Sequence, residues 1–144
     1  MKLNLGCGKA IMEGAINHDL WRHHTYVDIV HDLNIRPWPW SKESFVTVYA
    51  LDVLEHLYNF IKSLEECHRI LIPNGRLHLR VPNAAHVVSF RDPTHHWCLT
   101  EDSMDYFIKG TWLEEKYGFY SPMRWKKLEQ TVGNEIFWIL EKDA

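Results

Sequence analysis

No stretch of this chain approaches about 18 consecutive apolar residues, and its start lacks a basic segment followed by an apolar run and a cleavage site. Neither a spanning helix nor a secretory leader is therefore expected, and the reading is a soluble, cytoplasmic protein with no membrane partner. Cysteine is scarce. Cys7, Cys67 and Cys98 form an odd set without close pairing, which argues against a disulfide framework and fits a reducing compartment. As isolated thiols they read as small buried hydrophobes. Basic residues are scattered among acids and the net charge is -3, so no basic stripe exists to neutralise many phosphates. Nucleic acid is excluded as an expected partner. Internal repeats, low-complexity tracts and domain linkers are missing too. At 144 residues and 46% hydrophobic content, one domain over 1–144 with one core is the expectation.

What the chain does hold in excess is histidine and tryptophan, ten and seven respectively. The indoles are expected to cover sheet faces that too few helices are available to cover. Short apolar or β-branched segments recur at Lys2 to Leu5, Ala15 to His18, Tyr26 to His31 and Ser44 to Ala50, each ending at glycine or a turn-forming polar residue. These read as four strands. From Val53 to Leu71 apolar residues recur at helical spacing until Pro73-Asn74-Gly75, giving one long helix, and Arg76 to Val81 alternates as a fifth strand. Asn83 to Tyr120 has little periodicity, apart from an acid-rich helix start at Thr100-Glu101-Asp102-Ser103. Val132-Gly133-Asn134 then joins two strand-like runs as a closing hairpin. The fold class predicted is α/β: a Rossmann-like, mostly parallel sheet with a C-terminal antiparallel hairpin.

The chemistry-bearing features lie at the ends of these strands. Leu5-Gly6-Cys7-Gly8-Lys9 runs a buried strand into a glycine turn, where a ligand can approach bare backbone. Asp19, Asp32 and Asp52 follow the second, third and fourth strands, so acids stand at successive carboxyl ends, where such sheets bind ligands. A carboxylate after strand two can accept both hydroxyls of a ribose, and one after strand three can meet an adenine amino group. A dinucleotide is disfavoured. Its fingerprint needs a third glycine where Ile11 stands, an acid about 20 residues on, and a helix N-terminus for the pyrophosphate. Only Lys9 to Ala15 separate Gly8 from the second strand, room for a turn and no helix. S-adenosylmethionine carries no phosphate, so a short glycine turn suffices for it.

The runs Leu3-Asn4-Leu5-Gly6-Cys7-Gly8, Ile16-Asn17-His18-Asp19, Val27-Asp28-Ile29-Val30-His31-Asp32-Leu33, Leu51-Asp52-Val53-Leu54-Glu55-His56-Leu57 and Arg69-Ile70-Leu71-Ile72-Pro73-Asn74-Gly75 carry a resemblance. In order and spacing the chain resembles the class I S-adenosylmethionine-dependent methyltransferases, in particular a small type with a Val-Leu-Glu-His-Leu motif after strand four. It departs from them in having Asn4 where an acid is common and in lacking the first crossover helix. The resemblance implies that Gly6, Cys7 and Gly8 lie along the methionine part of the cofactor. It implies further that Asp19 and Leu20 hold the ribose, Asp32 and Leu33 border the adenine, and Leu51 and Asp52 flank the sulfonium. The activity implied is methyl transfer to a small-molecule O, N or C nucleophile. The alternative is a non-catalytic cofactor-binding or scaffold subunit of the same fold.

Among the histidines, His56 stands near the start of the helix, and His95 and His96 lie in the variable loop expected to cover an acceptor. With Asp52 they are the candidate catalytic residues, since imidazole titrates near neutral pH and could orient or deprotonate a nucleophile. A metal is not expected from His95, His96 and Cys98, because adjacent loop histidines do not easily face one ion. The missing crossover helix leaves sheet surface bare, which predicts a homo-oligomer.

Overall fold

The computed structural model describes residues 1–23 and 25–144. Seven strands form one sheet: β1 (Lys2–Leu5), β2 (Ile16–Asp19), β3 (Ile29–Val30), β4 (Phe45–Leu51), β5 (Leu71–Pro82), β6 (Arg124–Val132) and β7 (Glu135–Asp143), in the spatial order β3-β2-β1-β4-β5-β7-β6. The first five are mutually parallel; β7 lies antiparallel to β5, and β6 closes the edge as the outer arm of the hairpin. The order reverses at β1, where the chain steps from β3 across to β4, and the carboxyl ends of β1 and β4 meet at that switch point. The mostly parallel sheet with an antiparallel end is the expected class.

The long helix is broken in two. Leu54–His56 forms a single 3-10 turn, Leu57 is extended, and α1 proper runs Phe60–Ile70. Asn59 supplies the reason, because its side-chain oxygen accepts the Lys62 N–H at 3.0 Å and starts a new helix there. The third strand is also shorter than the apolar run Tyr26 to His31. The Asp28 carboxylate accepts the Asn17 N–H at 2.8 Å, so a side chain takes a place that a ladder carbonyl would fill. In the variable segment, α2 (Val88–Arg91), a 3-10 turn at Ser103–Phe107 and α3 (Trp112–Tyr117) appear, α3 being capped by Thr111. Among the described residues no helix is long and apolar enough to cross a membrane.

Alternation along the strands separates two faces. Val48, Ala50, Leu77, Leu79, Val81, Ile136, Trp138 and Leu140 are fully buried and share one core cluster with Leu64, Cys67 and Ile70 of α1. Each fully buried leucine there contributes about 1.5–3 kcal/mol of transfer free energy. The opposite face, with Tyr49, His78 and Phe137, is only half-buried, and the His78 ring lies 4.7 Å from Tyr49 and 6.0 Å from Phe137. The connections from β1 to β4 contain no helix among the described residues, which is why this face is thinly covered. Trp38, Trp125 and Trp138 are buried, whereas Trp21 and Trp112 are largely exposed, so only part of the tryptophan set serves to cover the sheet.

The short β1–β2 connection is held by side chains. Asn4, 3% exposed on β1, donates to Ala10 O at 2.9 Å and to Asn17 Oδ1 at 3.0 Å, and Asn17 Oδ1 also accepts the Met12 N–H. A carboxylate at position 4 could make neither donation. An amide there fits a chain whose first crossover is a turn.

Candidate functional site

Two open cavities lie over the carboxyl ends of the strands. The first, about 270 Å³, is lined by Gly6, Asp19, Leu20, Asp32, Leu33 and Asp52, together with His18, His31, Asn34, Val53, His56 and Leu57. Six of the nine expected cofactor residues thus share one cavity. Cys7, Gly8 and Leu51 do not line it. Cys7 is buried, its N–H spent on His18 O at 2.8 Å, and burial pushes its thiol pKa up. Gly8 contributes indirectly, as the turn that Asp19 grips.

Gly6 must be glycine on two counts. Its φ of 56° lies in the left-handed region, and a Cβ there would come within 2.6 Å of Val53 Cγ2. Asp19 secures the turn from below: Oδ2 accepts the Gly8 N–H at 2.8 Å, and Oδ1 accepts the Leu20 N–H at 2.7 Å. A carboxylate has about four lone-pair sites; two take these bonds and the His23 imidazole stands 3.4 Å from Oδ2, so Oδ1 is the oxygen better placed for a diol. His18 is a second brace, invisible to pattern reading. Its Nδ1 accepts the Gly6 N–H at 3.2 Å and its Nε2 donates to His31 O at 2.8 Å, which fixes a neutral tautomer. Burial lowers its pKa in keeping with that role. Asp32 closes a turn, with Oδ1 accepting the Asn34 N–H at 2.9 Å.

The second cavity, about 430 Å³, is lined by Asp52, Glu55, His56, Pro82, Val88, Arg91, Asp92, His95 and Glu135. Asp52 and His56 belong to both, so the two cavities adjoin at the end of β4. Asp52 has φ of 58°; its Oδ2 accepts from Arg80 Nη2 at 2.7 Å and from Nε at 3.0 Å, while Oδ1 is buried without a hydrogen-bond partner among the described residues. Arg80 also reaches Glu135 at 3.0 Å.

The histidine tautomers follow from their partners. The one proton of the Thr94 hydroxyl goes to Asp92 Oδ1 at 2.7 Å, so Thr94 Oγ1 accepts from His56 Nδ1 at 2.9 Å, and His56 Nε2 keeps its lone pair. A carbonyl can only accept, so His95 Nδ1 donates to Ser89 O at 3.0 Å and its Nε2 keeps a lone pair as well. The two rings meet at 4.7 Å. Burial first, then the neighbouring His95, lowers the His56 pKa. His96 turns away: its ring packs on Tyr58 at 4.9 Å, only its backbone N–H reaches Glu55 O, and it lines neither cavity. Adjacent residues do diverge here, and the structure separates His95 from His96 as candidates.

Glu55 was missed. It is 1% exposed, neither carboxyl oxygen has a hydrogen-bond partner among the described residues, and burial pushes its pKa up to about 8. The signal lay in the motif Val53-Leu54-Glu55-His56-Leu57, which places a charged residue inside an apolar run.

The sheet reverses order at β1, and a glycine turn and acids ring a cavity at that point, where open α/β sheets bind their ligands. The family described as "Methyltransferase domain" matches residues 3–79, just over half of the chain, and the chain belongs to it. Among solved structures, the chain is similar to one in the complex between the Haloferax volcanii Trm112 methyltransferase activator and a methyltransferase, at 12% identity and TM-score 0.68, covering 99% of this chain and 82% of that one. It is similar also to a SAM-dependent methyltransferase from Archaeoglobus fulgidus, at 14% identity and TM-score 0.65, covering 98% and 85%. A third, from Aquifex aeolicus, matches at 12% identity and TM-score 0.58 over 99% and 81%. No curated protein matches the chain significantly.

Proposed function

We propose that this protein binds S-adenosylmethionine in the first cavity and transfers its methyl group to a small-molecule nucleophile held in the second. One observation carries the reading: the cavity bearing the cofactor-type residues and the cavity bearing Glu55 and His95 adjoin at Asp52 and His56. The residues fit the group. Gly6 brings bare backbone to the cavity wall in a left-handed conformation, Asp19 lines the same cavity with acceptor oxygens suited to a diol, and Asp32 lies on the same wall. When bound, S-adenosylmethionine supplies a methyl group already activated by a positive sulfur.

The protein's own work is then positioning, worth several powers of ten in effective concentration, with removal of a hydroxyl proton falling to groups at the junction. Arg80 holds Asp52 there in its left-handed conformation, and Thr94 and Ser89 orient His56 and His95.

Calorimetric titration with S-adenosylmethionine and with its demethylated product tests the binding half. Asp19→Ala removes charge-assisted bonds worth on the order of 1.5–3 kcal/mol, so affinity should fall about tenfold or more in a variant that still melts cooperatively. Unchanged affinity would refute the role of Asp19. Retention of cofactor without turnover on any acceptor would favour the non-catalytic subunit instead.

A further inference from the structure

We propose that Glu55, His56 and His95 form a binding site for one divalent transition-metal ion on the wall of the acceptor cavity. Each offers one ligand atom, and the three lie within 4.8 Å of one another. Three independent features of the chain prepare them. The Asp92–Thr94 pair takes the Nδ1–H of His56, so the lone pair of Nε2 stands 3.9 Å from Glu55 Oε1. The Ser89 carbonyl takes the Nδ1–H of His95, the arrangement by which metal-ligating imidazoles are commonly oriented. Glu55, 1% exposed, lines the same cavity with both carboxyl oxygens lacking any hydrogen-bond partner.

A buried carboxyl group without a partner is costly unless something compensates it, and a cation does so directly. Two imidazoles and one carboxylate make a donor set suited to zinc and its transition-metal neighbours, whereas magnesium and calcium prefer all-oxygen cages. Tetrahedral coordination needs ligand atoms roughly 3.3 Å apart, so the side chains close by small rotations when the ion enters. Asp92 Oδ2, 3.6 Å from His95 Nε2, stands at the rim outside this three-ligand set. This set differs from the loop residues His95, His96 and Cys98, from which no metal is expected, because Glu55 and His56 come from the turn after β4.

The role of such an ion rests on the proposed methyl transfer. Three protein ligands leave a coordination position open to the cavity, where an acceptor hydroxyl can bind and become more acidic. The proton it releases would pass to Asp52, which lines the same cavity. The oxygen lone pair then forms the O–CH3 bond, and the S–CH3 bond breaks with its electron pair remaining on sulfur, which becomes a neutral thioether.

Cobalt(II) titration of the full, chelator-stripped chain tests the site, read by visible d–d absorption, with zinc added in competition. The expected result is one cobalt per chain, displaced by zinc. Glu55→Gln and His95→Ala should each weaken it about tenfold or more, with His86→Ala, an exposed imidazole outside the three-ligand set, as an unaffected control. Glu55→Gln keeps side-chain volume and serves if His95→Ala fails to fold. No cobalt band in the wild-type chain, or equal binding in Glu55→Gln, would overturn the site. Cofactor calorimetry on the same samples separates the two readings: a cobalt band without S-adenosylmethionine binding supports the metal site and refutes the methyl-transfer reading, and the converse refutes the metal site alone.

Discussion

Replacing Glu55 by Gln should stabilise the metal-free protein at alkaline pH and leave it nearly unchanged in mild acid. The carboxyl group is buried without hydrogen bonds, and its pKa stands at about 8 against an ordinary value of 4.5. Between those values the folded state holds a proton that the unfolded chain has released, so stability falls as pH rises through that window. The stability is fully present below the unfolded pKa and lost once pH passes the folded one. At about 1.4 kcal/mol per pKa unit, with allowance for local relaxation, the loss by pH 9 is on the order of 2–5 kcal/mol. Glutamine matches the shape without titrating. For a domain of this size the melting temperature of Glu55→Gln should exceed that of the wild type by roughly 5–15 °C near pH 9, and by almost nothing near pH 5. Scanning calorimetry in chelating buffer at both pH values measures the gap, in which the buried histidines cancel because both chains share them. A gap equal at the two pH values, or a variant less stable throughout, would show that Glu55 is solvated or paired in solution.

The divergence of the histidine pair gives a sharper experiment on the loop. His95→Ala should reduce methyl transfer about tenfold or more while sparing cofactor affinity, whereas His96→Ala should leave both within about twofold, measured by turnover and calorimetry. Equal losses from the two variants would mean that the loop adopts another conformation when an acceptor binds. The half-covered sheet face around Tyr49, His78 and Phe137 predicts self-association, so light scattering at micromolar concentration should report a mass above that of one chain. A monomer at all concentrations would refute that expectation.

Much of this architecture was legible because strand ends announce themselves. Gly6 and Asp52 mark points where buried apolar runs stop, Asp19 and Asp32 stand at the ends of shorter or more polar strands, and the parallel topology gathers such points on one edge. Three things resisted. The helix break at Leu57 to Asn59 hid within good apolar periodicity, although Asn59 ahead of Phe60 is a cap signal strong enough to have been used. His18 reads as an alternating strand residue; only the structure places its two nitrogens on Gly6 and His31. Glu55 and His95 are 40 positions apart, and no local pattern connects a 3-10 turn after β4 with a loop after β5. Side-chain convergence across the sheet edge depends on tertiary packing, which spacing cannot report.

Transfer of an isotopically labelled methyl group from S-adenosylmethionine to pooled small-molecule acceptors tests the central claim most directly, with product and demethylated cofactor counted together. Equal amounts of the two are expected, both reduced in parallel in Asp19→Ala at subsaturating cofactor. Tight cofactor binding with no label leaving it, across acceptors bearing O, N and C nucleophiles and with zinc present, would contradict it.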